Sequence, residues 1–301
     1  MDIQSKIILI FGPTASGKSK FAIKLAKKLN GEIINADSMQ VYKELKILTA
    51  RPLLKEQKKI KHHLYGFQSV KKNFSTGQWL QLALKKIKEI KKKKKIPILV
   101  GGTGLYFKSL TDGLVKISKI PFKYRLQIRD LQKKIGQKKF YKKLLKIDPM
   151  VKGKINPNDI QRSIRAYEVK SFTKLSLYEW FNKTSKKFQD EEFIKIYLNY
   201  PREYIIEKIN LRTKNMFKKG VINEVKKFTK LNVKKDKIIN KVIGISEIQK
   251  YLNDGESLKK IIESISIKTR QYAKRQKTWG KKNMCDWLQI ENHKSIKHFK
   301  F

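Results

Sequence analysis

Cysteine is almost absent from this 301-residue chain, acidic residues are few, and apolar runs are short. The single cysteine, Cys285, excludes an internal disulfide and any zinc module built on paired cysteines, and it reads as a buried or idle thiol. No stretch approaches the ~18 apolar residues that a membrane-crossing helix needs. The N-terminus runs into a strand pattern with no cleavable signal, so a soluble, cytoplasmic protein is expected, with no membrane partner. Asp and Glu number 25 against 72 Lys and Arg, a formal net charge of +47, which points to a polyanion, nucleic acid ahead of membrane. Much of the excess is Lys in a sequence also heavy in Ile and Asn, the usage expected of an AT-biased genome. The charge therefore speaks to association and not to fold.

What is present begins at residue 7. The apolar run Ile7 to Phe11 leads into Gly12-Pro13-Thr14-Ala15-Ser16-Gly17-Lys18-Ser19, a full Gly-x4-Gly-Lys-Ser loop, and a helical pattern follows from Lys20. Such a loop aims backbone N–H groups and the positive end of a helix dipole at one point, where polyphosphate binds. Lys18 would neutralise the terminal phosphates and the Ser19 hydroxyl would hold magnesium (Mg2+).

Further short strands are expected at Glu32 to Asn35, Ile96 to Val100 and Phe193 to Tyr200, with helical stretches between them. This predicts an α/β fold, a P-loop NTPase-like parallel sheet with helices on both faces. From about Gly113 to Lys186 no strand is evident. Lys/Arg-rich helical segments (Tyr124 to Lys134, Lys138 to Lys146, Asp159 to Ser171) predict a helical insertion domain at 113–186 within a core formed by 1–112 and 187–301. A last long helix is expected around Ser257 to Lys281, with Arg270, Lys274 and Lys277 on one face.

Three strand ends converge on the phosphate loop, where ligands bind in sheets of this class. After the second strand comes Asp37, with three readings: general base, magnesium-holding carboxylate, or helix N-cap, the first being favoured by position. After Ile96 to Val100 come Gly101-Gly102-Thr103-Gly104, where paired glycines allow close approach and Thr103 offers a donor and an acceptor. After Phe193 to Tyr200 a helix brings Arg202 and Arg212, an arginine suited to clamp a leaving phosphate.

These segments, with Asp37-Ser38-Met39-Gln40-Val41-Tyr42, Thr49-Ala50-Arg51-Pro52, His62-His63-Leu64, Gly101 to Tyr106, Asn156-Pro157-Asn158-Asp159 with Gln161-Arg162 and Arg165-Ala166, and Arg270 to Trp279, resemble the bacterial tRNA dimethylallyltransferases over nearly the whole chain. The resemblance implies transfer of a dimethylallyl group from dimethylallyl diphosphate to N6 of adenine 37 in tRNAs that read U-initial codons. It implies that Asp37, Thr103 and Lys18 act in the reaction, and that Gly12 to Ser19 with Arg212 bind the diphosphate. For tRNA, presented as its anticodon stem-loop, it implies contacts from Asp37, Ser38, Met39, Gln40, Thr103, Arg125, Gln161, Arg162, Ser163, Ile164 and Arg165, and from a stretch running from Lys241 to Glu247. A monomer is expected. The chain departs from the family's pattern at Gln78 in Phe74-Ser75-Thr76-Gly77-Gln78-Trp79, at Lys46-Ile47-Leu48-Thr49, and at Arg51. His62 and His63 are read as structural, since nothing else suggests a metal site. Rival readings are a P-loop small-molecule kinase, an isopentenyltransferase acting on free adenine nucleotides, and a non-catalytic RNA-binding protein.

Overall fold

Every residue of strand β1 (Ile7–Phe11) is buried, and its side chains alternate between two cores. Ile7, Leu9 and Phe11 pack on one side with Trp79, Ala83 and Ile87 of α2 (Thr76–Lys92) and with Phe107 and Leu110 of α3 (Gly104–Thr111). Ile8 and Ile10 pack on the other with Phe21, Ala22 and Leu25 of α1 (Lys18–Lys28) and with Ile205 and Ile209 of α7 (Arg202–Lys218). A strand with no polar residue on either face can only lie in a sheet covered on both sides. Each of the Ile, Leu and Phe side chains among them contributes roughly 1.5–3 kcal/mol by leaving water.

The computed structural model describes residues 3–52, 58, 60–234 and 237–292. Its sheet has six strands, β2 (Gly31–Asn35), β3 (His62–His63), β4 (Ile96–Gly101), β5 (Phe193–Leu198) and β6 (Leu288–Ile290) joining β1 in the order β3-β2-β4-β1-β5-β6. All pairings are parallel, with Leu9 beside Leu99 on one flank and beside Lys195 on the other. This is the expected doubly covered sheet. Two strands were not foreseen, because β3 and β6 span only two and three residues and carry no alternation to detect.

The chain divides into two compact units, Met1–Thr111 with Phe188–Phe301, and Asp112–Lys187. In the first, α8 (Val221–Thr229), α9 (Ile245–Asn253) and the start of α10 (Leu258–Asn283) form a third apolar cluster with Val41, Leu45 and Leu48. The second unit is all helical. Its long α4 (Phe122–Ile147) is broken at Gly136, which adopts φ 73°, ψ 164°, and it packs on α5 (Ile160–Thr173) and α6 (Leu177–Asn182) around Tyr141, Leu144, Val151 and Ala166. Cys285 is exposed, so of its two readings the buried one is corrected: the helix has ended and the thiol faces water. Among the described residues no helix is long and apolar enough to cross a membrane.

Candidate active site

At the end of β1 the loop turns twice through left-handed backbone, at Ala15 (φ 66°) and Gly17 (φ 77°). Alternation of this kind turns successive N–H groups inward and makes a concavity for anions. Gly17 is the N-cap of α1, so the first N–H groups of that helix have no intrahelical acceptor and face the same place. The loop holds itself through Ser16 N–H donating to the Pro13 carbonyl at 3.2 Å and Lys18 Nζ donating to the same oxygen at 3.1 Å. Gly12 is buried, and the Ser16 hydroxyl is buried with no hydrogen-bond partner, an orphan polar atom within the cradle. Arg212 reaches in from α7, its Nη1 donating to Thr14 Oγ1 at 2.6 Å.

Next to it, the ends of β2 and β4 are stitched together. Asn35 accepts from Asp37 N–H at 2.9 Å, and Asp37 Oδ1 accepts from Met39 N–H at 2.9 Å, an Asx-turn that fixes the carboxylate. No helix follows, so the N-cap reading of Asp37 gives way to this turn. Thr103 Oγ1 accepts from Ser38 N–H at 2.9 Å and donates to Ser38 Oγ at 3.2 Å, while Thr103 N–H donates to the Ala36 carbonyl. Gly101 permits this approach, because a Cβ there would stand 2.0 Å from the Ala36 carbonyl oxygen. Gly101→Ala is therefore expected to cost about 1–3 kcal/mol or more of unfolding free energy, measurable by urea denaturation. Behind them Trp79, stacked on Tyr106 at 4.2 Å, donates to the Asn35 carbonyl. Gln40 Nε2 donates to the carbonyl of Thr49.

Electrostatics ties the two halves into one site. Burial pulls the Lys18 pKa down to about 8, with Asp37 opposing that shift and Arg212 adding to it. Arg212 is likewise lowered by burial and supported by Asp37. Burial raises the Tyr272 hydroxyl, and so does Asp37, while Arg275 and Arg212 oppose it. One carboxylate thus acts on two cations and on two phenols, those of Tyr272 and Tyr106. Tyr272 and Gln276, both on α10, lie in the segment that resembles the family's C-terminal helix but carry no signal of their own. Gln276 accepts from Thr14 N–H and donates to the Gly102 carbonyl, each at 2.8 Å.

The helical unit gathers several of the other expected residues around Glu168, which is 1% exposed. Arg125 Nε lies 3.1 Å from its Oε2, Arg165 Nη1 3.5 Å from the same oxygen, and Arg129 Nε 3.7 Å from Oε1. One buried carboxylate holds three half-exposed guanidiniums and leaves their remaining donors to solvent. Glu168→Gln is expected to lower unfolding free energy by about 1–3 kcal/mol, with Arg162→Ala nearly neutral in the same thermal melts. Arg162 is exposed and pairs with Asp159, the N-cap of α5, while Gln161 is exposed and Ile164 partly buried.

Two of the residues expected at the tRNA are buried. Ser163 is fully buried, its hydroxyl accepting from Gln137 at 3.1 Å. Glu247 is also buried, one oxygen accepting from Gly244 N–H at the start of α9 and the other held by Ser246 and Lys268. Burial pushes its pKa up, but Lys268 and those donors bring it below the ordinary value. Both side chains are thus engaged in packing and capping. Lys241 is exposed. Where the chain departs from the family's pattern, the structure gives local roles: Gln78 completes a capping box with Ser75, Glu224 accepts from the N–H groups of Lys46, Ile47 and Leu48, and Arg51 donates to the Lys43 carbonyl. His63 pairs with Glu32 at 2.7 Å, a structural contact.

No group of three or more His, Cys, Asp or Glu that could cage a metal occurs among the described residues. Magnesium does not require such a cage, since it keeps several waters and is held by one or two protein groups together with substrate phosphates. Ser19, on the first turn of α1, and the unpaired Ser16 hydroxyl supply oxygens beside the cradle.

Residues 40–283 match the family described as IPP transferase. The tRNA dimethylallyltransferase of Pelagibacter ubique is 64% identical over 291 residues, 97% of this chain and 93% of that protein. The tRNA dimethylallyltransferase of Rickettsia massiliae is 45% identical over 291 residues, covering 96% and 80%. Among solved structures, the full-length tRNA isopentenylpyrophosphate transferase of Bacillus halodurans superposes with a TM-score of 0.69 at 32% identity, over 98% of this chain and 94% of that one. A eukaryotic dimethylallyltransferase acting on tRNA gives a TM-score of 0.82 at 29% identity, over 95% and 73%. With the family matched along most of its length and relatives this near, the chain belongs to the IPP transferase family.

Proposed function

We propose that this protein is a tRNA dimethylallyltransferase, moving the five-carbon group of dimethylallyl diphosphate to N6 of adenine 37, beside the anticodon of tRNAs that read U-initial codons. The observation that carries the reading is the placing of Asp37, a group able to take a proton, against Lys18 and Arg212 at the mouth of a phosphate loop. The names of the near relatives support it.

In the reaction the allylic C1–O bond breaks, the N6–C1 bond forms, and one N6 proton is lost. The departing diphosphate gathers negative charge, which the loop N–H groups, Lys18 and Arg212 stabilise as it develops. Ser19 would hold magnesium beside the cradle, where the ion would supply further charge neutralisation. The exocyclic amine is a poor nucleophile while its lone pair is delocalised into the purine, and Asp37 relieves this by accepting the proton. Thr103, fixed by Ser38, hydrogen-bonds near the reacting nitrogen and holds it in line.

The adenine must leave its stack to be reached, which is cheaper from a loop than from a duplex. Arg125, Arg165, Arg162, Gln161 and Ile164 of the helical unit, with Ser38 to Gln40 and Lys241, supply the RNA-facing groups, and Glu168 presents Arg125 and Arg165. The enzyme acts in the cytoplasm as a monomer.

The test is incubation with magnesium, labelled dimethylallyl diphosphate and an anticodon stem-loop carrying adenine at position 37, with AMP and ATP as competing acceptors. Label in the stem-loop is the expected result. Label in AMP or ATP instead would move the protein to free-nucleotide chemistry, and ATP turnover without transfer would make it a kinase.

A further inference from the structure

We infer that Gln276 is a positioning residue for the diphosphate loop, a clasp through which helix α10 sets the shape of the donor site. The inference rests on the donor-site reading above and names a residue which that reading does not use.

The loop is short of internal support. Of its backbone N–H groups, that of Ser16 is spent on Pro13, and Gly17 gives the helix it opens no side-chain cap. The Thr14 N–H is buried and donates to Gln276 Oε1, 262 positions further along the chain. The same amide turns its Nε2 to the carbonyl of Gly102, the residue before Thr103. Gln276 is 6% exposed, and both of its polar atoms are satisfied by backbone. A single side chain thus joins the turn that carries the diphosphate to the turn that carries Thr103.

Two features show that the space is shaped around this amide. A Cβ on Gly102 would stand 2.2 Å from Gln276 Nε2, so a side chain there would displace the amide. One turn further along α10, the Trp279 ring lies against Gly104, where an added Cβ would fall 2.2 Å from it. The helix therefore meets the loop at Thr14 and the Gly-Gly-Thr-Gly turn at Gly102 and Gly104. Glutamine suits the first task because it both accepts and donates. Glutamate would keep the bond from Thr14 N–H but could not donate to Gly102, and would place a negative charge behind a site that binds diphosphate. Methionine would fill the space and orphan two buried backbone groups.

The experiment compares the full-length wild type with Gln276→Met, Gln276→Glu and Gly102→Ala. Inorganic pyrophosphate affinity is measured by calorimetry with magnesium present, and KM is measured separately for dimethylallyl diphosphate and for the stem-loop. Loss of the clasp is expected to weaken pyrophosphate binding and raise the donor KM about tenfold or more, with the stem-loop KM unchanged and Gln276→Glu affected most. Gly102→Ala keeps Gln276 and displaces its amide, the added Cβ also standing 3.3 Å from the Gly12 carbonyl oxygen, so it perturbs the same junction should Gln276→Met fail to fold. A folded variant with wild-type pyrophosphate affinity overturns the inference, as does a parallel loss of donor and stem-loop affinity, the mark of general loosening. If the wild type binds pyrophosphate but transfers nothing to the stem-loop, the proposed function fails while the pyrophosphate arm still decides the clasp. If the wild type binds no pyrophosphate, both fail.

Discussion

Asp37→Asn is expected to lower prenyl transfer by about 10²-fold or more while stem-loop affinity stays at the wild-type level. The substitution preserves shape, and its carbonyl oxygen still accepts from Met39 N–H, so the turn between β2 and the Gln40 loop survives. What is lost is the capacity to take a proton from N6. Both quantities are measured on one preparation, transfer by label in the stem-loop and affinity by filter binding. Equal loss of the two would count against the base assignment and make Asp37 an RNA contact. An undiminished rate would move the proton elsewhere, with the phenols of Tyr272 and Tyr106, both of which feel the Asp37 charge, as the alternatives.

How far this site was legible in the sequence depends on the range of the interaction. The phosphate loop is local: strand, turn and helix are consecutive, the apolar run is unbroken, and Gly17 occupies the position where the chain needs a left-handed residue. Asp37 and Thr103 were found because parallel strands deliver their carboxyl ends to one edge, so a distinctive residue just past β2 or β4 must lie near the loop. Arg212 followed by the same logic from β5, though its bond to Thr14 did not. Gln276 was invisible for a physical reason. A buried amide that joins two backbone groups has no period and no charge signature, and its partners are 262 and 174 residues away.

Charge misled in the opposite direction. In a chain with 72 Lys and Arg, basic residues carry little information, and the informative residue of the helical unit is an acid. Glu168 fixes where three guanidiniums stand, yet nothing in the local sequence distinguishes it from a solvated helix residue. Ser163 and Glu247 fall within segments matched to the family's RNA contacts, but burial assigns them to packing and capping. A resemblance carries a segment across. Which face of a helix a residue occupies is settled only by what packs against it.

Lys18→Met separates function from stability most sharply. Removing this cation is expected to lower kcat/KM by about 10²–10³-fold, the usual weight of a fixed charge facing a developing anion. It is also expected to abolish most of the thermal stabilisation that pyrophosphate gives the wild type. The ligand-free protein should behave in the reverse way. Burial holds the Lys18 pKa near 8, below the 10.5 of the free side chain, so between these values the unfolded chain binds more protons than the folded one. Wild-type stability then rises with pH across that window, and at pH 7 the folded protein carries the cost of an ill-solvated cation. The methionine variant is free of that cost, so without ligand it should melt at or above the wild-type temperature at pH 7, with the difference vanishing as pH approaches 10.5. Pyrophosphate affinity of the wild type should fall in the same window, because the bound anion requires the protonated amine. A methionine variant that is less stable than wild type at pH 7, or an affinity flat from pH 7 to 10, would place Lys18 outside the cradle and return the amine to an ordinary surface role.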